Sequence, residues 1–427
     1  MKILILSNEV WNDKINGNNV LSNWFEGIDA EFANIYASGG VPFNKCCKKY
    51  FQITDVMILK SIITGKKAGI KLTDDDFSTE LCDCDAEIEP KRLYSILKKI
   101  SGSFMRLIRE LMWMIGKYNL VELKKFIDEF QPDVIFSERM ASCKMLRLEK
   151  IIYNITDTPF FAFTGDDEYS LNQFNLSPFF WINRFMIRKR LKENVSRYRI
   201  YYMLSEEQKK FYESEFNCRC KLLQKCGEFD NRRYVDKQIH KPIRMIYAGK
   251  FYCNRWKMLI KITRIIREIN KDEVKIVLDI YTKDIPNKIQ NKYLNDGRNS
   301  FIRGAVSQEE LKIKYEESDI ALHVESDDLR NRLLTKYSFS TKIIDCIFSG
   351  CAVMAYCWNQ HSGLTYLKKE NAGICISSQN DLKSILNRFV NNPALISEYS
   401  KKAYACGINK HSRKEIQNML LLDFGKG

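Results

Sequence analysis

Short apolar runs alternate with longer segments of helical spacing along the first half of the chain. The chain opens with the strand KILILS, continues through a polar turn that contains glycine, and then reaches the helix VLSNWFEGI. Further along, the strand DVIFS is followed by the helix MLRLEKIIYNI and the apolar segment PFFAFTG. Strands that alternate with helices predict a parallel sheet with helices on its faces.

The same alternation restarts near residue 241 and is more regular there. It predicts a doubly wound α/β unit, in which ligands bind at the carboxyl ends of the strands. The polar segment DNRRYVDKQIHKP is interpreted as a linker. We therefore predict one domain at residues 1–235, a second at 236–400, and a helical tail at 401–427 that can pack back on the first domain. The predicted elements of the second half are IRMIYAG, WKMLIKITRIIREIN, VKIVLDIYT, SFIRGAV, QEELKIKYEES, DIALHVE, TKIIDCIFSG, CAVMAY and GICIS.

Length and composition fit this division. A chain of 427 residues is too long for one core and suits two domains of about 200 residues each. The N-terminus is interpreted as a buried strand, and no stretch reaches the ~18 to 20 apolar residues of a spanning helix. We therefore expect a cytoplasmic protein, with peripheral attachment to the inner face of the cell membrane as an open alternative.

Fourteen cysteines occur without an export signal, so we expect reduced thiols. Two Cys-x-Cys pairs, Cys82/Cys84 and Cys218/Cys220, lack the two-residue spacing and the nearby histidines of zinc sites. We therefore expect no metal site. His323 lies on an apolar strand, where a single histidine is more often part of the core.

Several catalytic motifs are missing from the sequence. It has no GxxxxGK[ST] loop, no GxGxxG after the first strand and no GxSxG elbow. The sequence therefore does not indicate a P-loop nucleotidase, a dinucleotide-binding enzyme with the usual fingerprint, or an α/β-hydrolase.

The most informative segment is residues 337–345, where a loop rich in hydroxyl groups opens a helix. The hydroxyl residues after Tyr337 are Ser338, Ser340 and Thr341. A helix start offers free N–H groups and the positive end of the helix dipole, which favour a diphosphate. Lys342 adds a cation in the first turn, and Asp345 can accept hydrogen bonds from two neighbouring hydroxyls. The alternative role of Asp345 is to complement the helix dipole alone.

This segment, YSFSTKIIDCIFSGCAVMAY, resembles the donor-site signature of retaining GT-B glycosyltransferases of family four. In that family an acid, seven residues and a second acid lead into a helix, a glycine and an apolar strand. Asp345 falls on the second acid, whereas Tyr337 takes the first acidic position. The resemblance implies an α/β chain of GT-B type, with two Rossmann-like domains facing across a cleft, and a nucleotide-sugar donor bound mainly by the second half.

A second segment, YAGKFYCNRWKM, resembles the first loop of that family's donor domain. Its strand ends at Gly249, and the resemblance implies that Lys250 and Arg255 contact the donor diphosphate. The alternative is a surface loop with two solvated cations. The residues that the same resemblance places beside the base and the donor sugar are Arg303, Val306 and Glu325.

The first half matches the family more loosely. Gly17 and Asn18 follow the first strand, as the family's glycine-bearing loop does, close to the diphosphate. Asp166 and Asp167 follow the segment PFFAF, where a carboxylate can orient or deprotonate an acceptor hydroxyl. The alternative for these two residues is a capping and turn cluster.

The resemblance implies a hexosyltransferase-like enzyme of polysaccharide or glycolipid synthesis, with retention at the anomeric carbon, catalytic roles for Tyr337 and a carboxylate, and no metal or other cofactor. A UDP-sugar is favoured as donor, with a saccharide or lipid-linked acceptor. Two alternatives stay open: another sugar-nucleotide enzyme, such as an epimerase, and a basic nucleic-acid-binding protein. No nucleic-acid motif is present, so we expect no nucleic-acid partner.

The net charge of +15 is concentrated in two segments of the first half, residues 91–118 and 184–200. In residues 93–115 apolar residues recur at helical spacing with Lys and Arg between them. This pattern predicts a basic amphipathic helix. Its apolar face either packs on the core or docks on an anionic membrane, and we favour the membrane.

Overall fold

The computed structural model describes residues 1–14, 20–73, 102–139, 142–227, 234 and 236–425. It divides into two compact units. The first unit is Met1–Leu223 with Gln417–Gly427, and the second is Gln224–Ile416. The units divide after residues 223 and 416, whereas the predicted boundaries are at residues 235 and 400. The helix Ala394–His411 runs through residue 400 and packs on the second unit's sheet.

The first unit is built on an eight-stranded sheet with the order β4-β3-β2-β1-β5-β6-β7-β8. Its strands are parallel except for β4, which pairs antiparallel with β3. The strands are β1 (Lys2–Ser7), β2 (Glu31–Tyr36), β3 (Cys47–Gln52), β4 (Ile70–Thr73), β5 (Val134–Arg139), β6 (Phe160–Thr164), β7 (Tyr198–Met203) and β8 (Cys220–Leu222).

Helices connect and cover these strands, as parallel strands require. The helices are α1 (Val20–Phe25), α2 (Asp55–Thr64), α3 (Gly102–Ile115), α4 (Leu120–Phe130), α5 (Cys143–Tyr153), α6 (Pro178–Val195) and α7 (Glu206–Phe216). The last helix of the chain, α16 (Arg413–Gly425), enters this unit from residue 417 and places the Phe424 ring 6.1 Å from that of Phe136 in β5. No helix in the described ranges is long and apolar enough to cross a membrane.

The second unit has a six-stranded, fully parallel sheet with the order β11-β10-β9-β12-β13-β14. Its strands are β9 (Ile243–Ala248), β10 (Ile276–Tyr281), β11 (Ser300–Gly304), β12 (Ile320–Val324), β13 (Ala352–Tyr356) and β14 (Ile374–Ile376). Its helices are α8 (Arg255–Ile269), α9 (Lys288–Leu294), α10 (Gln308–Glu316), α11 (Leu329–Thr335), α12 (Lys342–Phe348), α13 (Ser362–Lys369), α14 (Gln379–Asn391) and α15 (Ala394–His411).

Local sequence explains where several helices begin. Ser142 caps α5 by accepting a hydrogen bond from the Met145 N–H. At α10 the Ser307 side chain accepts from the Glu310 N–H, and the Glu310 carboxylate accepts from the Ser307 N–H. Such caps satisfy N–H groups that have no partner inside the helix. They fix the start of each helix relative to the preceding strand.

One ion network lies inside the first unit rather than on its surface. Arg139, at the end of β5, donates to Glu149 at 2.9 Å and to Glu168 at 2.9 Å, and all three side chains are inaccessible to solvent. The Arg139 guanidinium also donates to the Tyr198 hydroxyl at 2.9 Å. Buried charges are tolerated when they are paired and hydrogen-bonded, as these are.

Each sheet has one place where strand order reverses. In the second unit β10 and β11 lie on one side of β9, and β12 to β14 lie on the other. The connections after β9 and β12 therefore leave the sheet in opposite directions. A crevice opens between them at the carboxyl ends of the two strands, and ligands bind there in this class of sheet. In the first unit the same reversal occurs between β1 and β5.

Candidate functional site

Two cations meet at the carboxyl end of β9 in the second unit. Arg255 begins α8, after the loop that follows β9, and Lys342 begins α12. The Lys342 ammonium lies against Gly249, since a Cβ added to Gly249 would be 2.0 Å from its Nζ. A side chain at position 249 would displace Lys342. The glycine thus keeps room for a cation at the strand end.

A buried carboxylate at the end of β12 holds the arginine in place. Glu325 accepts from Nη2 of Arg255 through Oε1 at 2.5 Å, and these side chains are only 2% and 16% exposed. The other oxygen of Glu325, Oε2, is buried without a hydrogen-bond partner among the described residues. Buried acceptors are normally satisfied, so this oxygen is suited to a ligand hydroxyl.

The electrostatics of the site favour an anion. Burial, followed by the nearby charge of Arg255, lowers the pKa of Lys342 to about 8. Arg255 and Lys342 both carry positive charge at neutral pH, and the carboxylate nearest to them, Glu325, is paired with Arg255. A ligand with two negative charges, such as a diphosphate, would relieve the repulsion between the two cations.

The loop that presents Arg255 has an unusual backbone. Cys253 and Asn254 both have positive φ angles, 54° and 59°, although neither is glycine. The Asn254 amide donates to Asp328 at 3.1 Å, which ties this loop to the segment after β12. Backbone in the left-handed region costs free energy and is concentrated at functional sites. Here it turns the chain so that Arg255 begins α8 beside Glu325.

Three of the predicted donor residues, Gly249, Arg255 and Lys342, are therefore brought together with a fourth, Glu325. The loop before α12 is half-buried, and the carbonyl groups of Ser340 and Thr341 accept from N–H groups of the helix. The predicted residues of that loop are Tyr337, Ser338, Ser340 and Thr341.

Of four further predicted residues in the second unit, two form ion pairs with residues outside this cluster. Asp345 forms an ion pair with Lys225. Arg303 forms an ion pair with Asp279 at 2.6 Å and lies over the Phe301 ring. Lys250 is exposed, and its carbonyl accepts from the Tyr247 hydroxyl at 2.8 Å. Val306 is half-buried beyond the end of β11.

In the first unit Asp167 is buried and makes a full set of local contacts. Its carboxylate accepts from the Tyr169 N–H at 3.0 Å, from the Ser170 N–H at 2.9 Å and from Arg184 at 3.0 Å. These contacts correspond to the turn-capping alternative. Asp166, by contrast, has an exposed side chain. Gly17 and Asn18 lie outside the described residues.

One polar residue at the first unit's strand reversal was not predicted from the sequence. Glu138 is half-buried near the end of β5, opposite Ser7 of β1. Burial, and then the charges of Glu9 and Glu168, raise the pKa of Glu138 to about 7. The sequence signal was a charged residue shortly after the apolar run VIF, separated from it by Ser137, and charged residues are common at strand ends.

Solved structures with similar folds match nearly the whole chain. Sucrose-phosphate synthase from Thermosynechococcus elongatus superimposes with a TM-score of 0.62 at 11% identity, over 100% of this chain and 98% of that one. HepE from Anabaena, in complex with UDP, gives 0.61 at 10% identity over 100% of both chains. The chain has the GT-B fold. WaaG, a glycosyltransferase involved in lipopolysaccharide biosynthesis, gives 0.58 at 10% identity over 98% of both chains.

The sequence itself gives no such match. No protein-family model and no curated protein sequence matches the chain. Since the structural similarities lie at 10% to 11% identity, they establish the GT-B fold, and the chemistry has to be argued from the residues of the site.

Proposed function

We propose that the protein is a glycosyltransferase that takes a sugar from a nucleotide-sugar donor, with a UDP-sugar favoured. The observation that carries this proposal is the meeting of two cations at the strand reversal of the second unit, where Lys342 lies against Gly249 and Arg255 pairs with Glu325. Two cations in a half-buried crevice suit a diphosphate. The bound UDP of the structural neighbour HepE supports the choice of base.

The site residues have distinct proposed roles. Arg255 and Lys342 would bind the diphosphate and neutralise the charge that it gains as the leaving group. The unpartnered oxygen of Glu325 would accept from a donor-sugar hydroxyl. Asp345 would bind the ribose hydroxyls. In the first unit, exposed Asp166 is the proposed acceptor-side carboxylate. These residues supply positioning and electrostatics without a metal at the diphosphate.

Retention and acceptor class are further parts of the proposal. Retention rests on the resemblance of residues 337–345 to the family-four signature. A cell-surface polysaccharide or glycolipid intermediate is proposed as acceptor, in line with the pathway of the neighbour WaaG. Proton NMR of the product's anomeric centre tests the first point, and an inverted product would contradict it.

Calorimetric titration with UDP, GDP and ADP tests the central proposal. We expect measurable binding, strongest for UDP, followed by slow hydrolysis of UDP-sugars from a panel. Absence of binding by every nucleoside diphosphate would refute the assignment of this crevice as a donor site.

The affinity for UDP should fall as the pH rises above neutrality. Lys342, with a pKa of about 8, is mostly charged at pH 7 and mostly neutral at pH 9. Because the diphosphate binds the charged form of Lys342, the neutral lysine must take up one proton when UDP binds at high pH. The affinity for UDP should therefore drop about tenfold between pH 7 and pH 9. Lys342→Met is the control for protonation of the nucleotide itself, and its affinity for UDP should not show this drop. Equal pH dependence in both proteins would contradict the role of Lys342.

We also propose that the first unit docks on an anionic membrane through α3 and α6. Within α3 the fully buried side chains are Glu110 and Trp113, whereas four residues of the predicted apolar stripe are exposed and Leu107 is half-buried. In the described part of the helix, which starts at Gly102, this exposure supports membrane docking over packing on the core. The exposed apolar residues of the stripe are Phe104, Ile108, Leu111 and Ile115, at 37%, 40%, 47% and 67% exposure.

The apolar surface continues onto α6. Phe104 contacts Phe179 of α6, with ring centroids 4.9 Å apart, and Ile182 and Phe185 are also exposed. Exposed basic residues border this surface; they are Arg106, Lys189 and Lys192. Apolar side chains flanked by cations fit the interface of an anionic bilayer better than a nucleic-acid backbone.

Sedimentation with anionic vesicles tests the docking surface. The wild type should pellet with phosphatidylglycerol vesicles, and less so at high salt. Changing Ile108 and Leu111 together to Asp should weaken binding at least about tenfold, because each buried apolar side chain contributes about 1.5 to 3 kcal/mol. Ile313→Asp is the control, since Ile313 is 52% exposed on α10 of the second unit. Equal pelleting of all three proteins would remove the proposal.

A further inference from the structure

We propose that His323, Cys357 and His361 form a binding site for a transition-metal ion of the zinc class in the second unit. One potential ligand atom from each residue lies within 4.8 Å of the other two. The residues are buried, with 3%, 0% and 1% of their surfaces exposed. A nitrogen–nitrogen–sulfur set of this compactness has the composition of a zinc site.

The three ligands come from three neighbouring elements. His323 lies in β12, Cys357 directly follows β13, and His361 is the residue before α13. β12 and β13 are adjacent and parallel, with His323 opposite Ala355, so their carboxyl ends lie side by side. The cluster therefore depends on strand pairing, and no spacing rule would detect it because 33 residues separate His323 from Cys357.

A second observation points independently to a ligand. Nε2 of His323 is buried and has no hydrogen-bond partner among the described residues. The ring lies beside His361, with centroids 5.7 Å apart. A buried ring nitrogen without a partner is uncommon in a core, and coordination of a metal would satisfy it.

The donor atoms select the type of metal. Imidazole nitrogen and thiolate sulfur suit zinc and its neighbours in the first transition row, whereas magnesium and calcium prefer oxygen ligands. Binding requires Cys357 to lose its thiol proton to solvent as the metal–sulfur bond forms. Nδ1 of His361 accepts from the Gly363 N–H at 3.1 Å, and that hydrogen bond would be given up when the ring turns to the metal.

The metal would stabilise the strand ends beside the donor crevice. His323 precedes Glu325 by two residues, and Cys357 follows the strand that pairs with β12. A metal bound here would cross-link the segments after β12 and β13. The metal would support the crevice wall, whereas the proposed diphosphate contacts are made by Arg255 and Lys342.

Cobalt binding to the full chain, purified free of metal, tests the proposal. Co²⁺ is the probe because a thiolate–imidazole site gives it visible d–d and sulfur charge-transfer absorption, and Zn²⁺ should then abolish these bands at one equivalent. Loss of a metal's outer-shell partner costs about 10- to 100-fold in affinity, so Cys357→Ser, which removes a ligand, should weaken binding at least about 100-fold.

Cys375→Ser is the matched control, because Cys375 is a partly buried thiol on neighbouring β14 outside the cluster. Circular dichroism establishes that each variant is folded, and His361→Gln provides a second ligand variant should Cys357→Ser fail to fold. Absence of cobalt bands in the wild type, or unchanged bands in the folded ligand variants, would overturn the proposal. Neither outcome depends on UDP binding, so the donor site is judged separately.

Discussion

An Arg139→Met variant should lose about 3 to 5 kcal/mol from the free energy of unfolding of the first unit, the largest effect expected of any single change in this chain. Arg139 is completely buried and pairs with Glu149 and Glu168, which are equally buried. Methionine fills similar volume but leaves two carboxylates without a cation. Each carboxylate must then stay charged in a medium that solvates it poorly or take up a proton.

Hydrogen exchange of the amides in β5 and β7, followed by mass spectrometry, measures this loss in the first unit alone. The control is Lys71→Met, which breaks an ion pair with Glu129 whose side chains are 41% and 45% exposed. Surface pairs of this kind contribute about 0 to 1 kcal/mol. Equal protection of β5 in both variants would show that the buried network is not stabilising the unit.

Lys342→Met should weaken UDP binding by roughly 10- to 100-fold, while the fold of the second unit is retained. A hydrogen bond to a charged group contributes about 1.5 to 3 kcal/mol, which corresponds to this range in Kd. The folded protein already disfavours the protonated lysine, as its lowered pKa indicates, so replacing it should not lower stability near neutral pH. Reduced binding would then report the contact with the nucleotide and not unfolding.

Lys257→Met is the matched control for this measurement. Lys257 is exposed on α8, two residues after Arg255, and its removal changes the net charge by the same amount. We expect calorimetry to give wild-type affinity for Lys257→Met. If both variants bound UDP equally well, the effect of Lys342 would be one of overall charge, and the assignment of the crevice would fail.

Much of the fold could be predicted from the sequence because hydrophobic periodicity is local. The runs IRMIYAG, VKIVLDIYT and CAVMAY were predicted as strands, and the structure confirms them as β9, β10 and β13. The prediction that a helix opens after the hydroxyl-rich loop is confirmed by α12, which begins at Lys342. The two parallel sheets are likewise confirmed.

The partners of site residues could not be predicted in the same way. Glu325 and Arg255 are 70 residues apart, and their ion pair exists because β9 and β12 are neighbours in the sheet. Asp345 meets Lys225 across 120 residues of sequence. Spacing along the chain carries no information about either contact, since strand order is decided by the packing of the whole sheet.

For α3 too, the sequence predicted the element but not its contacts. Its sequence predicted an amphipathic helix, which the structure confirms from Gly102 onward, but not the direction in which the apolar stripe points. The tertiary structure decides that direction: Trp113 is buried and donates to Asp55 at 2.6 Å, whereas Ile108, Leu111 and Ile115 are exposed.

By itself, then, the sequence determined the alternation of strands and helices, the loop and helix that carry Lys342, and the basic amphipathic character of α3. These features depend on neighbouring residues and on the periods of the helix and the strand. Only the tertiary structure decided which side chains meet: Lys342 with Gly249, Arg255 with Glu325, and His323 with Cys357 and His361. Those meetings depend on strand order and burial, which arise when distant segments pack together.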